Sequence, residues 1–195
     1  MKILICIPIF IFVGVLNAQN LDLPYHQIPE PPKKYTSGNV VSRMIDGLGY
    51  RYYWATNGLN DKDLAYKPSA DGRTTLETLQ HLYGLSLTIV NAPTNTPNLR
   101  PMDFTKFSFE ELRAMTLKNF KTASNYCLNK QPEDFEDFNV IFERNGKKST
   151  FPYWNMLNGP MADAIYHTGQ IVVLRRASGN PVNPGMNVFL GKTRE

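Results

Sequence analysis

The most informative stretch is residues 160–179, which read PMADAIYHTGQIVVLRRASG. Its leading proline is well suited to start a helix, and its final glycine is well suited to end one. We therefore predict a last helix from Pro160 to about Ser178. Apolar residues occupy several faces of this helix before Arg175 and Arg176, which indicates that much of it is buried.

An aspartate and a histidine lie one turn apart on this helix. At 100° per residue, Asp163, His167 and Gln170 form one stripe. An aspartate and a histidine are costly to bury unless they are paired or bind a cation. His81 lies on an earlier predicted helix and meets the stripe if the two helices pack side by side. Two imidazoles and one carboxylate leave coordination positions open and suit zinc, nickel or iron.

Two simpler interpretations stay open. Asp163 can pair with His167 as an ordinary i, i+4 helix contact, and a single His81 is more often a satisfied core histidine than a ligand. Other catalytic arrangements are missing from the sequence, including a glycine-rich phosphate loop and a Cys-x-x-Cys pair. The candidate metal site is therefore the candidate chemical centre.

Three helices are predicted before the last one. The first covers about residues 39–58, where apolar residues recur with helical spacing. Capping boxes, in which a threonine or serine is followed three residues later by glutamate, open the second helix at Thr74 and the third at Ser108. The second helix runs to about Asn91. The third includes Cys127, which we expect to be a buried thiol.

The segments between the helices differ in their patterns. Residues 60–73 are polar and predict a loop. Residues 138–151 alternate apolar and polar side chains around an Asn-Gly dipeptide, which predicts a short β-hairpin inserted between helices. After Pro181 the tail is predicted to be extended, with residues 188–190 (Val-Phe-Leu) packed back onto the helices.

The first residues have the pattern of an export signal. Residues 1–18 contain an early lysine, an apolar run at residues 3–16, and Ala18 before the predicted cleavage site. We therefore predict a periplasmic or secreted protein with no stable membrane anchor, because the apolar run is too short to span a bilayer. Residues 19–36 are rich in proline and predict an extended leader on the surface. Residues 37–195 then form one helical domain.

The composition argues against nucleic-acid binding and against an internal disulfide. The net charge is +4, but the lysines and arginines are scattered along the chain, so no nucleic-acid partner is expected. We interpret the pair Arg175 and Arg176 as solvated surface or as local partners. Only one cysteine remains after the predicted cleavage, so no internal disulfide can form.

Two motifs carry a resemblance to a known family. The second predicted helix contains Thr-Leu-Gln-His-Leu at residues 78–82, and the last contains His-Thr-Gly-Gln-Ile at residues 167–171, followed by two arginines and Gly179. In their order along the chain, these motifs resemble the DinB/YfiT-like superfamily over about residues 38–182. The resemblance implies an all-α fold, the DinB/YfiT-like four-helix bundle, here with a short inserted β-hairpin. It also implies that a homodimer can form.

The resemblance further implies a divalent metal, zinc or nickel, held by one histidine of the second helix and two of the last. His81 and His167 match two of these positions. Asp163 stands where most members have the third histidine, as it does in a subgroup of the family. Gln170 is the candidate catalytic residue, which would orient a metal ligand from outside the coordination sphere.

Relatives include metal-dependent hydrolases and enzymes that use a low-molecular-weight thiol. Because small thiols are largely intracellular, the predicted export favours a metal-dependent hydrolase that acts on an unknown small substrate. The alternatives are a thiol-dependent S-transferase of the DinB/YfiT type and a bundle that binds a metal or ligand without catalysis.

Overall fold

The computed structural model describes residues 23–194, and this part of the chain is mostly helical with a small sheet. Its α-helices are Ser37–Thr56 (α1), Asp61–Ala65 (α2), Thr75–Asn91 (α3), Phe109–Cys127 (α4), Tyr153–Met156 (α5) and Ala162–Ser178 (α6). The four long ones, α1, α3, α4 and α6, each pack against two of the others. The predicted signal peptide lies outside the described residues. Within them, no helix combines the length and the apolar character needed to cross a membrane.

The core lies between the long helices. Leucine, isoleucine and aromatic side chains from all four are almost completely buried there, among them Ile45, Leu79, Phe120 and Ile171. Burying each such side chain contributes roughly 1.5–3 kcal/mol. Cys127 is also buried, as predicted.

The strands form two small sheets: Asn98–Arg100 (β1), Asn139–Arg144 (β2), Lys147–Pro152 (β3), Met186–Asn187 (β4) and Lys192–Thr193 (β5). β2 and β3 are antiparallel and are joined by Asn145 and Gly146. Both turn residues have positive φ, 51° and 74°, which an Asn-Gly pair tolerates well. β1 pairs in parallel with β2 and was not predicted, because three residues are too few to show an alternating pattern.

Both predicted capping boxes are present, and the predicted starts of α3 and α4 are confirmed. The Thr74 hydroxyl accepts from the Glu77 N–H at 3.1 Å, and the Glu77 carboxylate accepts from the Thr74 N–H at 2.7 Å. Ser108 and Glu111 exchange the same two bonds at 3.2 and 2.8 Å. Each box satisfies N–H groups that the first turn of a helix leaves unpaired.

The predicted loop at residues 60–73 contains α2, so that prediction was wrong in part. Asn60 Oδ1 accepts from the Asp63 N–H at 3.2 Å, and Asp63 Oδ2 accepts from the Asn60 N–H at 3.0 Å. These bonds form a capping box with aspartate in place of glutamate. The five-residue helix is too short to show apolar periodicity, which is why the sequence did not reveal it.

The last helix does not begin at Pro160, contrary to prediction. Helical backbone starts at Tyr153 and continues through a π-helical segment, Leu157–Met161, directly into α6. The proline lacks an N–H group, and it lies within the wider π turn instead of at a helix start. The predicted end is confirmed, because Gly179 follows Ser178 with φ at 99°.

Part of the leader is buried, although a surface position was predicted for it. The Tyr25 side chain is 4% exposed, and its hydroxyl donates to Asp46 Oδ1 at 2.9 Å. Its ring covers Gly49 of α1, where a Cβ would lie only 2.4 Å from the ring. Glycine at this position therefore gives the leader room to enter the helical core.

The prediction that residues 188–190 pack onto the helices is wrong. These residues form the turn between β4 and β5, and Phe189 is 93% exposed. A backbone contact holds the tail instead, because the Ile28 N–H donates to the Gly191 carbonyl at 2.9 Å. A short apolar run does not by itself specify which surface it meets, so the sequence could not exclude this arrangement.

Arg175 is buried, although the sequence suggested solvated surface or a local partner. It is 3% exposed, and its Nη1 donates to three carbonyls at the end of α1, each at 3.0 Å: Trp54, Ala55 and Asn57. Carbonyls at the end of a helix have no partner inside the helix. Arg175 therefore joins the end of α1 to the end of α6.

Asp63 stabilises the same junction from α2. Its carboxylate is buried and accepts from the Ser178 hydroxyl and, at 2.6 Å, from Asn180 Nδ2. Burial acts to raise the pKa of Asp63. The hydrogen bonds and the Arg175 charge outweigh it and hold that pKa below its usual 3.8. The carboxylate is therefore ionised at neutral pH and balances the buried guanidinium.

We expect Arg175→Ala to lower the free energy of unfolding by about 3 kcal/mol, because it leaves buried carbonyls without a donor and removes the charge that balances the buried Asp63 carboxylate. The neighbouring Arg176 is exposed and provides the matched control. Arg176→Ala should change stability by no more than about 0.5 kcal/mol. Urea unfolding followed by circular dichroism measures both, and equal losses in the two variants would contradict the assigned role.

Candidate metal centre

The three predicted ligands lie together where α3 packs against α6. His81 Nε2 is 3.1 Å from Asp163 Oδ2, and His167 Nε2 is 3.3 Å from Asp163 Oδ1. The centroids of the two imidazole rings are 4.5 Å apart. The second and last predicted helices therefore pack side by side as expected. The role of the three side chains as ligands stays a prediction.

Their spacing fits a small divalent ion. Ligand atoms about 2.0–2.1 Å from a tetrahedral zinc lie roughly 3.3 Å from one another. Here the candidate ligand atoms all lie within 4.8 Å of one another, and two of the separations are 3.1 and 3.3 Å. An ion of this kind could therefore be accommodated with only small side-chain adjustments.

Gln170 determines which nitrogen of His167 faces the centre. Its Oε1 lies 2.6 Å from His167 Nδ1, and an amide oxygen can only accept a hydrogen bond. Nδ1 therefore carries a proton, and Nε2 is directed at Asp163 Oδ1. At the separation of 3.3 Å between these two atoms, either a proton or a cation lies between them.

His81 favours its neutral form. Burial lowers its pKa below the usual 6.5, and the nearby His167 and Arg73 lower it further, while Asp163 acts in the opposite direction. The ring is therefore mainly neutral at pH 7, which is the form that binds a metal. An i, i+4 pair between Asp163 and His167 is present as well, but it does not account for His81 on the facing helix.

The centre is closed on one side and open on the other. The His167 side chain is 13% exposed, whereas those of His81 and Asp163 are 34% and 42% exposed. A cavity of about 820 Å³ lies beside the centre, and both histidines line it. We term this cavity the α6 cleft. A small molecule in this cleft would have direct access to a metal held by these side chains.

Arg73 and Tyr166 line the same cleft, and sequence reasoning did not single out either of them. Arg73 lies in the segment predicted as a loop. Tyr166 was one of many apolar residues on a helix interpreted as largely buried, but its side chain is 64% exposed. The available signal was position alone: Tyr166 directly precedes a candidate ligand, and Arg73 directly precedes the cap of the helix that carries His81.

We expect Gln170→Ala to weaken zinc binding about 10- to 100-fold, because His167 loses the partner that fixes its tautomer and orientation. Gln170→Glu should retain or strengthen binding, because a carboxylate accepts the same hydrogen bond. Competition with a zinc indicator dye measures both affinities. Equal losses in the two variants would show that the contact with His167 Nδ1 does not orient the ring.

Comparison with known proteins identifies the fold. No family model matches the chain, and no curated protein matches it in sequence. Among solved structures, a DinB-like protein from Bacillus subtilis, YjoA, is similar with a TM-score of 0.53 and 12% sequence identity. The similarity covers 72% of this chain and 92% of that protein. At this identity the similarity concerns the fold alone, and we conclude that the chain has a DinB-like fold.

Proposed function

We propose that this chain binds one divalent metal ion through His81, Asp163 and His167 and is a metal-dependent hydrolase of a small substrate. The observation that carries the proposal is the convergence of His81 Nε2 and His167 Nε2 on the two oxygens of Asp163, at 3.1 and 3.3 Å, from two facing helices. We also infer that the four long helices form a four-helix bundle of the DinB/YfiT type, whose two facing helices hold the ion.

The residues have separate tasks in this proposal. His81 and His167 offer imidazole nitrogens, and the Asp163 carboxylate lies between them and offsets part of the positive charge of the ion. Gln170 holds the His167 ring in place through Nδ1. The chemistry that such an ion supplies is polarisation of a substrate carbonyl and activation of a water molecule. With three protein ligands, a zinc-type ion keeps a coordination position for substrate or water.

A second candidate is a protein that holds the metal without catalysis, because the three donors alone would serve that purpose. The α6 cleft favours the enzyme. A site that only stores a metal has no need of a cavity of about 820 Å³ beside it. Thiol-dependent transfer is a third candidate, and it needs a low-molecular-weight thiol as co-substrate.

We expect the purified protein to contain about one equivalent of zinc, nickel or iron, as measured by mass spectrometry without chelator or affinity tag. His81→Ala and His167→Ala should each lose the metal. His26→Ala is the matched control, because His26 is exposed and lies in the leader, and it should retain the metal. No metal in the wild-type protein after reconstitution would leave the three side chains as a hydrogen-bonded cluster and contradict the proposal.

Activity separates the three candidates. The metal-loaded protein is assayed with small esters and amides, alone and with a thiol co-substrate, and the His167→Ala variant serves as the blank. Hydrolysis that requires the metal supports the proposed reaction. Turnover only with the thiol indicates transfer, and metal binding without turnover of any substrate indicates a storage protein.

We further propose that residues 1–18 direct export and are removed, which leaves the mature chain beginning at Gln19. Amino-terminal sequencing of the protein recovered outside the cytoplasm of a bacterial host tests this. An intact first residue, or retention in the cytoplasm, would contradict it.

A further inference from the structure

The α6 cleft has two different walls. The loop between α2 and α3 supplies one wall, which includes Pro68 and Arg73. α6 supplies the other, where the side chains of Tyr166 and Val173 are 64% and 62% exposed. Between them, a Cβ added at Gly169 would meet nothing within 4 Å. The cleft thus combines exposed apolar surface with open space, and its volume is in the usual range for small-molecule sites.

Arg73 is the charged residue of this lining. Among residues 23–194, no carboxylate lies within ion-pair distance of its guanidinium, and no hydrogen bond engages it. Glu77 is close enough for Arg73 to lower its pKa, but its carboxylate already caps Thr74 at 2.7 and 3.0 Å. Asp71 of the same loop is exposed. The guanidinium is therefore available to a ligand.

Arg73 and the candidate metal centre are close enough for one small molecule to contact both. Arg73 lines the same cavity as His81 and His167, which places it near the centre. Along α3, the distance from Thr75 to His81 corresponds to roughly 9 Å of helix axis. A ligand that reaches from Arg73 to the two histidines is therefore the length of a small metabolite, and its body would lie along Tyr166 and Val173.

The charges around the cleft indicate the sign of the charge that a ligand carries. No aspartate or glutamate within the described residues lines the cleft, and Asp163 faces the two histidines. With a divalent cation bound, the positive charges of the ion and Arg73 exceed the single negative charge of Asp163. A cationic ligand is repelled by this arrangement. A carboxylate matches the planar fork of one arginine, and its single negative charge balances that of Arg73.

We propose that the substrate of this site is a small carboxylate with an apolar body, and that Arg73 is the specificity-determining residue that binds its carboxylate group. The inference rests on the proposed function, because the metal centre is where the other end of the substrate would react. It adds the class of substrate and a residue outside the ligand set.

Calorimetric titration of the zinc-loaded protein with phenylalkanoates of two to five chain carbons, each beside its uncharged primary amide, tests the proposal. At least one acid should bind wild type about tenfold or more tightly than its amide, the effect expected of a charge-assisted hydrogen bond. Arg73→Gln should remove the difference, and Arg73→Lys should retain part of it. Arg176→Gln, at an exposed position outside the cleft lining, should bind like wild type.

The zinc content of each variant and a titration of the zinc-free protein distinguish the possible failures. An acid preference that Arg73→Gln leaves intact, with zinc bound, means that the carboxylate binds the metal directly, and it overturns the role of Arg73. Equal binding of acids and amides by wild type overturns the substrate class. If wild type binds no zinc, the proposed function fails, and the zinc-free titration still shows whether Arg73 selects carboxylates.

Discussion

The buried guanidinium of Arg175 is the interaction on which the geometry of this protein most depends. It binds the last carbonyls of α1 and, through the turn at Asn180, fixes the end of α6. His167 lies two turns earlier on the same helix. The position of α6 relative to α1 therefore also sets where the His167 imidazole lies. A charge buried this deeply is tolerated because Asp63 and the carbonyls compensate it.

The other end of α6 is determined by the π-helical segment Leu157–Met161. An extra residue in one helical turn rotates everything that follows relative to what precedes it, and such segments are frequent at functional sites. Asp163 comes two residues after this segment and faces His81 across the interface. Both ends of α6 are thus fixed by features outside its apolar pattern. The candidate metal centre lies in the half of the helix nearer the π segment.

Local signals predicted more of this structure than patterns that depend on distant contacts. The capping boxes at Thr74 and Ser108 act within four residues, and the sequence predicted both. The three-residue strand β1 and the burial of Arg175 depend on partners far along the chain, which a single sequence does not reveal. Pro160 failed as a helix start because its usual preference was overridden by helical backbone on both sides.

The candidate site could be predicted in part, because polar residues on a largely apolar helix are costly to bury and therefore stand out in the sequence. The cost of placing Asp163 and His167 on a largely apolar helix pointed to a cation, and side-by-side packing of two predicted helices brought His81 to the same place. The resemblance added zinc or nickel as the expected metal. The cleft beside them depends on how the α2–α3 loop folds over α6. That loop has no periodic pattern, so neither the cavity nor Arg73 could be anticipated.

The contact between the leader and the C-terminal tail has a mechanical consequence. Ile28 bonds to Gly191, and the Tyr50 hydroxyl bonds to Thr193 at 2.9 Å, so both flanks of the helical core are fastened to the same side of α1. Tension applied through residues 23 and 194 would load this fastening first. Neither of these two contacts involves α3 or α6, the helices that carry the candidate metal centre.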